Sequence, residues 1–325
     1  MNAKDYREQV ARELQAATRR RSGARVFRDA QSPARVRQRS LEREPPLEDP
    51  EDIEAARALA EDAGADAGLR ATALKRLAQS GSEHETLLAL ALRLLSDGAT
   101  PHDVRAAAVE VVQQASFFMP VFDASRPEYL TALRAQIDDP DPELRQRVLG
   151  ILAREKDGAT QQRLLEGLSH PARALVPPEK ALQLLGYDMR AEFYPVAREL
   201  AAQRENPQAR AAALRLLAAD ADSRPLFQEL LLDPSESDDV RRLSLAALQA
   251  LDPQGLRRQA RALLLDEGES GPLQAACLAA LTHLGDAQAL QDDEPLRARV
   301  SRMQQDSKSA PVQRGARAFM RKAAR

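Results

Sequence analysis

The sequence predicts an all-α protein, a right-handed α-solenoid of about seven to eight stacked helical hairpins. Three observations carry this expectation. Ala, Leu, Arg and Glu dominate, aromatic residues are 3% and Trp is absent, a composition that favours helices. Strand-type runs of Val, Ile, Thr, Tyr and Phe are missing. One phrase, "SDDVRRLSLAAL" at 237–248, also returns along the chain at intervals in the thirties, which marks a helical solenoid.

The chain opens with "DYREQVARELQAATRR" (5–20), which puts Tyr6, Val10, Leu14 and Ala17 on one helical face. Residues 1–22 are therefore expected to form an amphipathic helix that caps the array or binds elsewhere. Residues 23–50 are polar, Arg-rich and closed by proline; they are expected to be a mobile or extended arm or linker. Residues 51–325 are expected to be the repeat solenoid, ending in a basic C-terminal cap.

Within 51–325 the phrase recurs as "DAGLRATALKRLA" (66–78), "PHDVRAAAVEVV" (101–112), "DPELRQRVLGIL" (141–152), "NPQARAAALRLLA" (206–218), "SGPLQAACLAAL" (270–281) and "SAPVQRGARAFM" (309–320). One slot in it holds Arg70, Arg105, Arg145, Arg210 and Arg241, then Gln274 and Gln313. A weaker copy, "VPPEKALQLLGYD", places Pro178 there, and successive slots are then 35, 40, 33, 32, 31, 33 and 39 residues apart. Each phrase begins with a residue able to cap a helix, or with Pro, which suits a first turn that needs no amide donor. A stripe follows at steps of four, one and three: Val240, Ser244, Leu245 and Leu248, matched by Leu144, Val148, Leu149 and Leu152. Between phrases lie second amphipathic segments such as "HETLLALALRLLSDG" (84–98) and "RPLFQELLLDP" (224–234). One hairpin cannot cover its own apolar face, so neighbours must stack.

Paired helices of this length, with Asp–x–Val/Leu–Arg opening the second helix, resemble the HEAT-repeat (armadillo-type) family with short bacterial-type repeats, over roughly residues 50–325. The resemblance implies a ladder in which turn acids and helix arginines join successive units. Asp103 with Arg105, Asp141 with Arg145, and Asp238 or Asp239 with Arg241 are its implied members. Gln274, Gln313 and Pro178 depart from the pattern.

No catalytic constellation emerges. His84, His102, His170 and His283 are isolated, and Cys277 has no second cysteine, so no metal site is expected. Cys277 falls on the apolar stripe and reads as a small core residue. Phosphate-binding glycine motifs and Gly-x-Ser-x-Gly are absent, so neither enzyme activity nor a cofactor is expected. The opening residues lack an apolar leader core, and the longest apolar run, "LLALAL" (87–92), is far short of a membrane span. A cytoplasmic protein with no membrane span is expected.

Two features exceed the repeat average. Of eleven Phe and Tyr, seven fall in two patches: Phe117, Phe118, Phe122 and Tyr129, then Tyr187, Phe193 and Tyr194. They are the candidate partner-binding residues, because aromatic anchors dominate interface energies; the competing reading is that they fill gaps between irregular units. Charge is also uneven. Residues 1–44 balance at +6 and residues 295–325 at +8, which leaves −16 for the middle of a chain whose net charge is −2. Self-association of basic termini with an acidic body is one consequence of that asymmetry.

The expected function is a non-catalytic scaffold or adaptor holding another protein on its curved surface. Two alternatives share the fold. One is a nucleic-acid-binding protein similar to the HEAT-like alkylpurine DNA glycosylases, which the acidic body disfavours. The other is an accessory protein resembling the HEAT-repeat bilin lyases and chaperones.

Overall fold

The computed structural model describes residues 26–80, 84–115 and 119–324. Among them there are helices and no strands. The expected helix over residues 1–22 lies outside the described residues. Two compact units divide the chain, residues 1–160 and 161–325.

In the first unit the helices are α1 (Ala34–Arg43), α2 (Pro50–Glu61), α3 (Ala67–Gln79), α4 (His84–Ser96), α5 (His102–Ala115), α6 (Met119–Arg134) and α7 (Pro142–Arg154). Helix α8 (Gly158–Ser169) contains the boundary. Pairing is local: α2 packs on α3 and α4 on α5, while α1, α3, α5 and α7 are successive neighbours in one layer. Caps explain where these helices begin. Asp66 and Asp141 each accept an amide hydrogen bond, from Leu69 (3.1 Å) and Leu144 (2.8 Å), satisfying one of the orphan donors of a first turn.

The second unit continues with α9 (Pro178–Leu185), α10 (Tyr194–Ala202), α11 (Pro207–Leu217), α12 (Arg224–Leu232), α13 (Asp238–Leu251), α14 (Pro253–Leu265), α15 (Gly271–Leu284), α16 (Ala287–Asp292), α17 (Glu294–Asp306) and α18 (Ala310–Ala323). Here α10 pairs with α11, α12 with α13, α14 with α15, and α17 with α18. Helices α9, α11, α13, α15 and α18 form one layer of successive neighbours. The 39-residue last interval is long because it holds α16 as an extra short helix. Gly167 is needed where α8 meets the next turn: a Cβ there would sit 2.9 Å from the Ala174 Cα.

Both units are held by their stripes. Leu149 and Leu152 in the first, and Leu214, Leu248 and Leu281 in the second, are all buried. Fully burying one such leucine is worth about 1.5–3 kcal/mol, so stacking outweighs intrinsic helix propensity. Cys277 is buried on the same stripe.

The arm expected over 23–50 is corrected. Residues 34–43 are helical, and Phe27, Leu41 and Leu47 are buried in the core with α1 packed on α3. Three apolar anchors spaced too widely to show a period are enough to pin the segment down. Arg28 adds ion pairs to Glu51 (3.0 Å) and Asp52.

The inter-repeat ladder is present, but at Arg105 and Arg241 its acids are not those that the resemblance implied. Arg105 donates to Asp139 through Nε (3.0 Å) and Nη2 (2.7 Å). Arg210 makes a fork to Glu236, both bonds 2.8 Å, and Arg241 a fork to Glu269 at 2.8 and 2.7 Å. Each carboxylate comes from the turn before the next layer helix, not from the first turn of the arginine's own helix. Slot residues reach back as well, to a carbonyl that ends the preceding helix or turn. Arg210 Nε binds the Ala201 oxygen (2.8 Å) and Arg241 Nε the Leu231 oxygen (3.0 Å). Gln274 and Gln313 keep this half of the role, donating to the carbonyls of Glu269 (2.9 Å) and Ser307 (2.8 Å).

A second ladder joins the other helix of each pair. Asp157, Asp220, Asp252 and Asp293 cap the turns or helices that follow them, and each also takes a donor from the previous unit. The donors are Arg134, Arg198, Gln228 (2.9 Å) and Arg261 (2.5 and 3.0 Å) respectively. Burial pushes the Asp157 carboxyl up, yet hydrogen bonds from Arg134 and Thr160 outweigh this and hold it below the usual carboxylate range.

Candidate functional site

The structure separates the aromatic residues that the sequence grouped. Phe117 and Phe118 lie outside the described residues; Phe122 is in α6, and nothing of its side chain is described. Tyr129 is 0% exposed and Phe193 1% exposed, so neither can offer its ring to a partner without repacking. Both sit on core stripes, Tyr129 with Ala132 and Leu133, Phe193 with Ala197 and Ala201. Tyr194 is half-buried at the start of α10. Tyr187 alone of the described set is well exposed, at 47%.

Tyr187 stands in the turn after α9, beside Met189, which is 43% exposed. Asp188 between them fixes the turn by accepting from Gln161 (3.1 Å) and Arg190 (2.8 Å). These two side chains form the lip of a groove of about 870 Å³ between α9 and α11. Its floor is Leu182, Ala211, Ala212 and Leu216, with Glu179 at one end and Arg215 at the other. The floor is flat because alanines occupy α11 on the side away from the buried stripe. A second groove, about 800 Å³, adjoins it through Ala211 and Arg215 and runs over α13 and α15, floored by Leu243, Ala246, Ala276 and Ala279.

The sequence reading missed Met189, Ala211, Ala212 and Arg215. The signal was in "NPQARAAALRLLA" (206–218): once Ala209, Ala213, Leu214 and Leu217 are assigned to the core and Arg210 to the slot, the positions left include Ala211, Ala212 and Arg215.

The Cys277 thiol is fully buried, and burial, with Glu269 nearby, pushes it up to about 12, which removes its nucleophilic form at neutral pH. Among the described residues no group of three or more His, Cys, Asp or Glu is placed to hold a metal ion. No described helix is long and apolar enough to cross a membrane.

No family model matches the chain, and no curated protein matches it. Two solved structures are distantly similar. A chain from a study of the phosphorylation switch controlling the interaction between cadherin and beta-catenin is 15% identical, with a TM-score of 0.44; the match covers 93% of this chain and 68% of that one. Human deoxyhypusine hydroxylase in complex with glycerol is 17% identical with a TM-score of 0.31, covering 96% of this chain and 98% of that one. The repeat architecture stated above rests on the helix pairs and ladders themselves.

Proposed function

We propose that this chain is a non-catalytic, cytoplasmic helical-repeat adaptor of HEAT-like type that holds a segment of another protein in the grooves over α9, α11, α13 and α15. One observation carries the reading: Tyr187 and Met189, large and exposed, stand at the lip of an apolar groove instead of being folded into the core. Exposed aromatic and methionine side chains over a concave apolar floor are the usual anchors of protein recognition. The ladders supply the rigidity that such a surface needs, since a preorganised site loses less entropy on binding. Among the sequence-predicted residues whose side chains are described, Tyr187 and part of Tyr194 are exposed for this role.

The test is selection of phage-displayed random peptides on the full chain, followed by affinity measurement on Tyr187→Asp/Met189→Asp. Selected peptides should weaken at least tenfold on that variant, whose far-UV circular dichroism should match the parent. Failure to enrich any peptide, or peptides that bind the variant undiminished, would remove the groove reading.

A further inference from the structure

We infer that the segment held in this groove is acidic, with its apolar end at Tyr187 and Met189 and its Asp/Glu-rich end toward α18. This rests on the groove reading above and adds the chemistry of the partner. Counting from each slot residue, positions one, five and eight residues on lie on one stripe of the helix, at steps of four and three. On α11 they are Ala211, Arg215 and Ala218; on α13, Arg242, Ala246 and Gln249. On α15 they are Ala275, Ala279 and Thr282; on α18, Arg314, Ala318 and Arg321. Four neighbouring helices thus present small residues interrupted by arginines.

The charges on these helices are one-sided. The only acids in α11, α13, α15 and α18 are Asp238 and Asp239. Asp238 accepts from the Ser270 hydroxyl (2.7 Å), and Asp239 is 3.4 Å from Arg242. Of the cations, Arg210 and Arg241 are consumed by the ladder, and Lys322 donates to the Thr282 carbonyl (2.6 Å). Arg215, Arg314, Arg317 and Arg321 are exposed and have no ion-pair or hydrogen-bond partner among the described residues. Glu236, Glu269, Asp220 and Asp293 are tied up between repeats, and the acids that line the two grooves are Glu179 and Asp239, beside Arg215 and Arg242. Glu179, at the α9 end, has the opposite sign, which sets the polarity of the bound segment.

Unpaired arginines alone would also attract nucleic acid. The floor decides between the two. Leu182, Leu216, Leu243, the alanines, Tyr187 and Met189 offer apolar contact that a phosphate backbone cannot use, whereas a peptide alternating carboxylates with apolar side chains uses both. Neighbouring helices about 8–10 Å apart make the α9–α18 span roughly 32–40 Å, which an α-helix of about 24 residues covers at about 1.5 Å per residue.

The experiment is a selection from a random library of peptides of about 24 residues on the full chain. Selected peptides are then titrated by fluorescence anisotropy against the parent, Arg215→Glu/Arg314→Glu and Tyr187→Asp/Met189→Asp. Expected is enrichment of Asp and Glu beside apolar residues, with at least tenfold weaker binding to both variants and a steeper salt dependence on the parent than on the arginine variant. Neutral or basic selected peptides that still weaken on the Tyr187/Met189 variant would overturn this inference and leave the groove reading standing. Peptides indifferent to both variants, or no enrichment, would remove both. Tight binding of a single- or double-stranded DNA oligonucleotide that Arg215→Glu/Arg314→Glu abolishes, and that acidic peptide does not displace, would assign the arginines to nucleic acid instead.

Discussion

Replacing Arg210 by alanine tests whether the ladder holds the second unit together. Arg210 is 10% exposed at its side chain and Glu236 only 4%. The guanidinium makes three bonds of 2.8 Å, two to Glu236 and one to the Ala201 carbonyl. Removing one member of a buried pair costs about 3–5 kcal/mol, most of it from the charge left behind. Glu236 would keep one partner, Arg204 at 2.7 Å, whose side chain is 60% exposed, so the low end, about 3 kcal/mol, is expected. At about 2–4 °C per kcal/mol for a unit of this size, the melting temperature should fall by roughly 6–12 °C. Arg215→Ala on the same helix is the control: exposed and unpartnered, it should stay within about 0.5 kcal/mol of the parent. Thermal and urea melts by circular dichroism measure both. Amide exchange then locates the loss in the second unit, since stacked repeats need not melt as one. A loss under about 1 kcal/mol for Arg210→Ala, or one equal to the Arg215→Ala control, would refute the ladder as a structural element. Replacing both Arg210 and Glu236 by apolar residues should recover much of the loss, because a buried pair often adds little over a well-packed apolar substitute.

Acid should unfold the protein through these same carboxylates. Arg210 holds Glu236, and Arg261 holds Asp293, below the usual carboxylate range. Their folded values lie below their unfolded ones, so the stabilisation is complete above about pH 4–5 and is lost as pH falls through the folded values. The melting temperature should be level from pH 7 to 5 and drop below about 4; Glu236→Gln should flatten that limb, and an unchanged limb would count against the assignment. Cys277, buried with its thiol pushed up to about 12, should resist a thiol reagent at neutral pH until urea unfolds the chain; stoichiometric labelling of the folded protein would contradict its core position. A Cβ at Gly315 would lie 3.1 Å from the Leu278 Cβ, so Gly315→Val should force α18 off α15 and cost about 1–3 kcal/mol; a neutral result in a thermal melt would show that the contact is looser than its geometry.

The layer helices were legible because their signal is local: a cap, a proline, a slot residue and four stripe positions lie within about one phrase. Helix α9 was legible but its register was not: the slot is the fourth residue of every other layer helix, whereas Pro178 is the first residue of α9, so Ala181 and not Pro178 takes the slot there. The ladder acids were not legible, because Glu236 stands 26 residues beyond Arg210 and Glu269 28 beyond Arg241, a distance that only the stacking closes. Asp220, Asp252 and Asp293 lie within the capping positions of short junctions, and the donor each takes from the repeat before is likewise remote in sequence. The described aromatic residues divide for a different reason. Tyr129 and Phe193 each share a three-or-four-residue step with small or branched apolar neighbours, which is a core signature, whereas Tyr187 follows the end of a helix and has no stripe to join. Clustering along the chain could not separate them; periodicity could.

The same arithmetic of partners links the uneven charge of the sequence to the surface of the fold. A middle region with sixteen excess negative charges would be expected to repel an acidic ligand. That expectation treats every carboxylate as free. In the second unit the acids that lie between repeats are spent on Arg198, Arg210, Arg241 and Arg261, and a carboxylate neutralised at contact distance contributes little field a Debye length away. The four layer helices, almost empty of acids, spend Arg210 and Arg241 on the ladder and keep Arg215, Arg314, Arg317 and Arg321 exposed. What a partner meets over this layer is thus set by the residues left over once the repeats have been joined, not by the net charge of the body. Ladder and groove are two uses of one resource, the arginine: buried, it sets the register of the stack, and exposed on the alanine face, it is available to a partner.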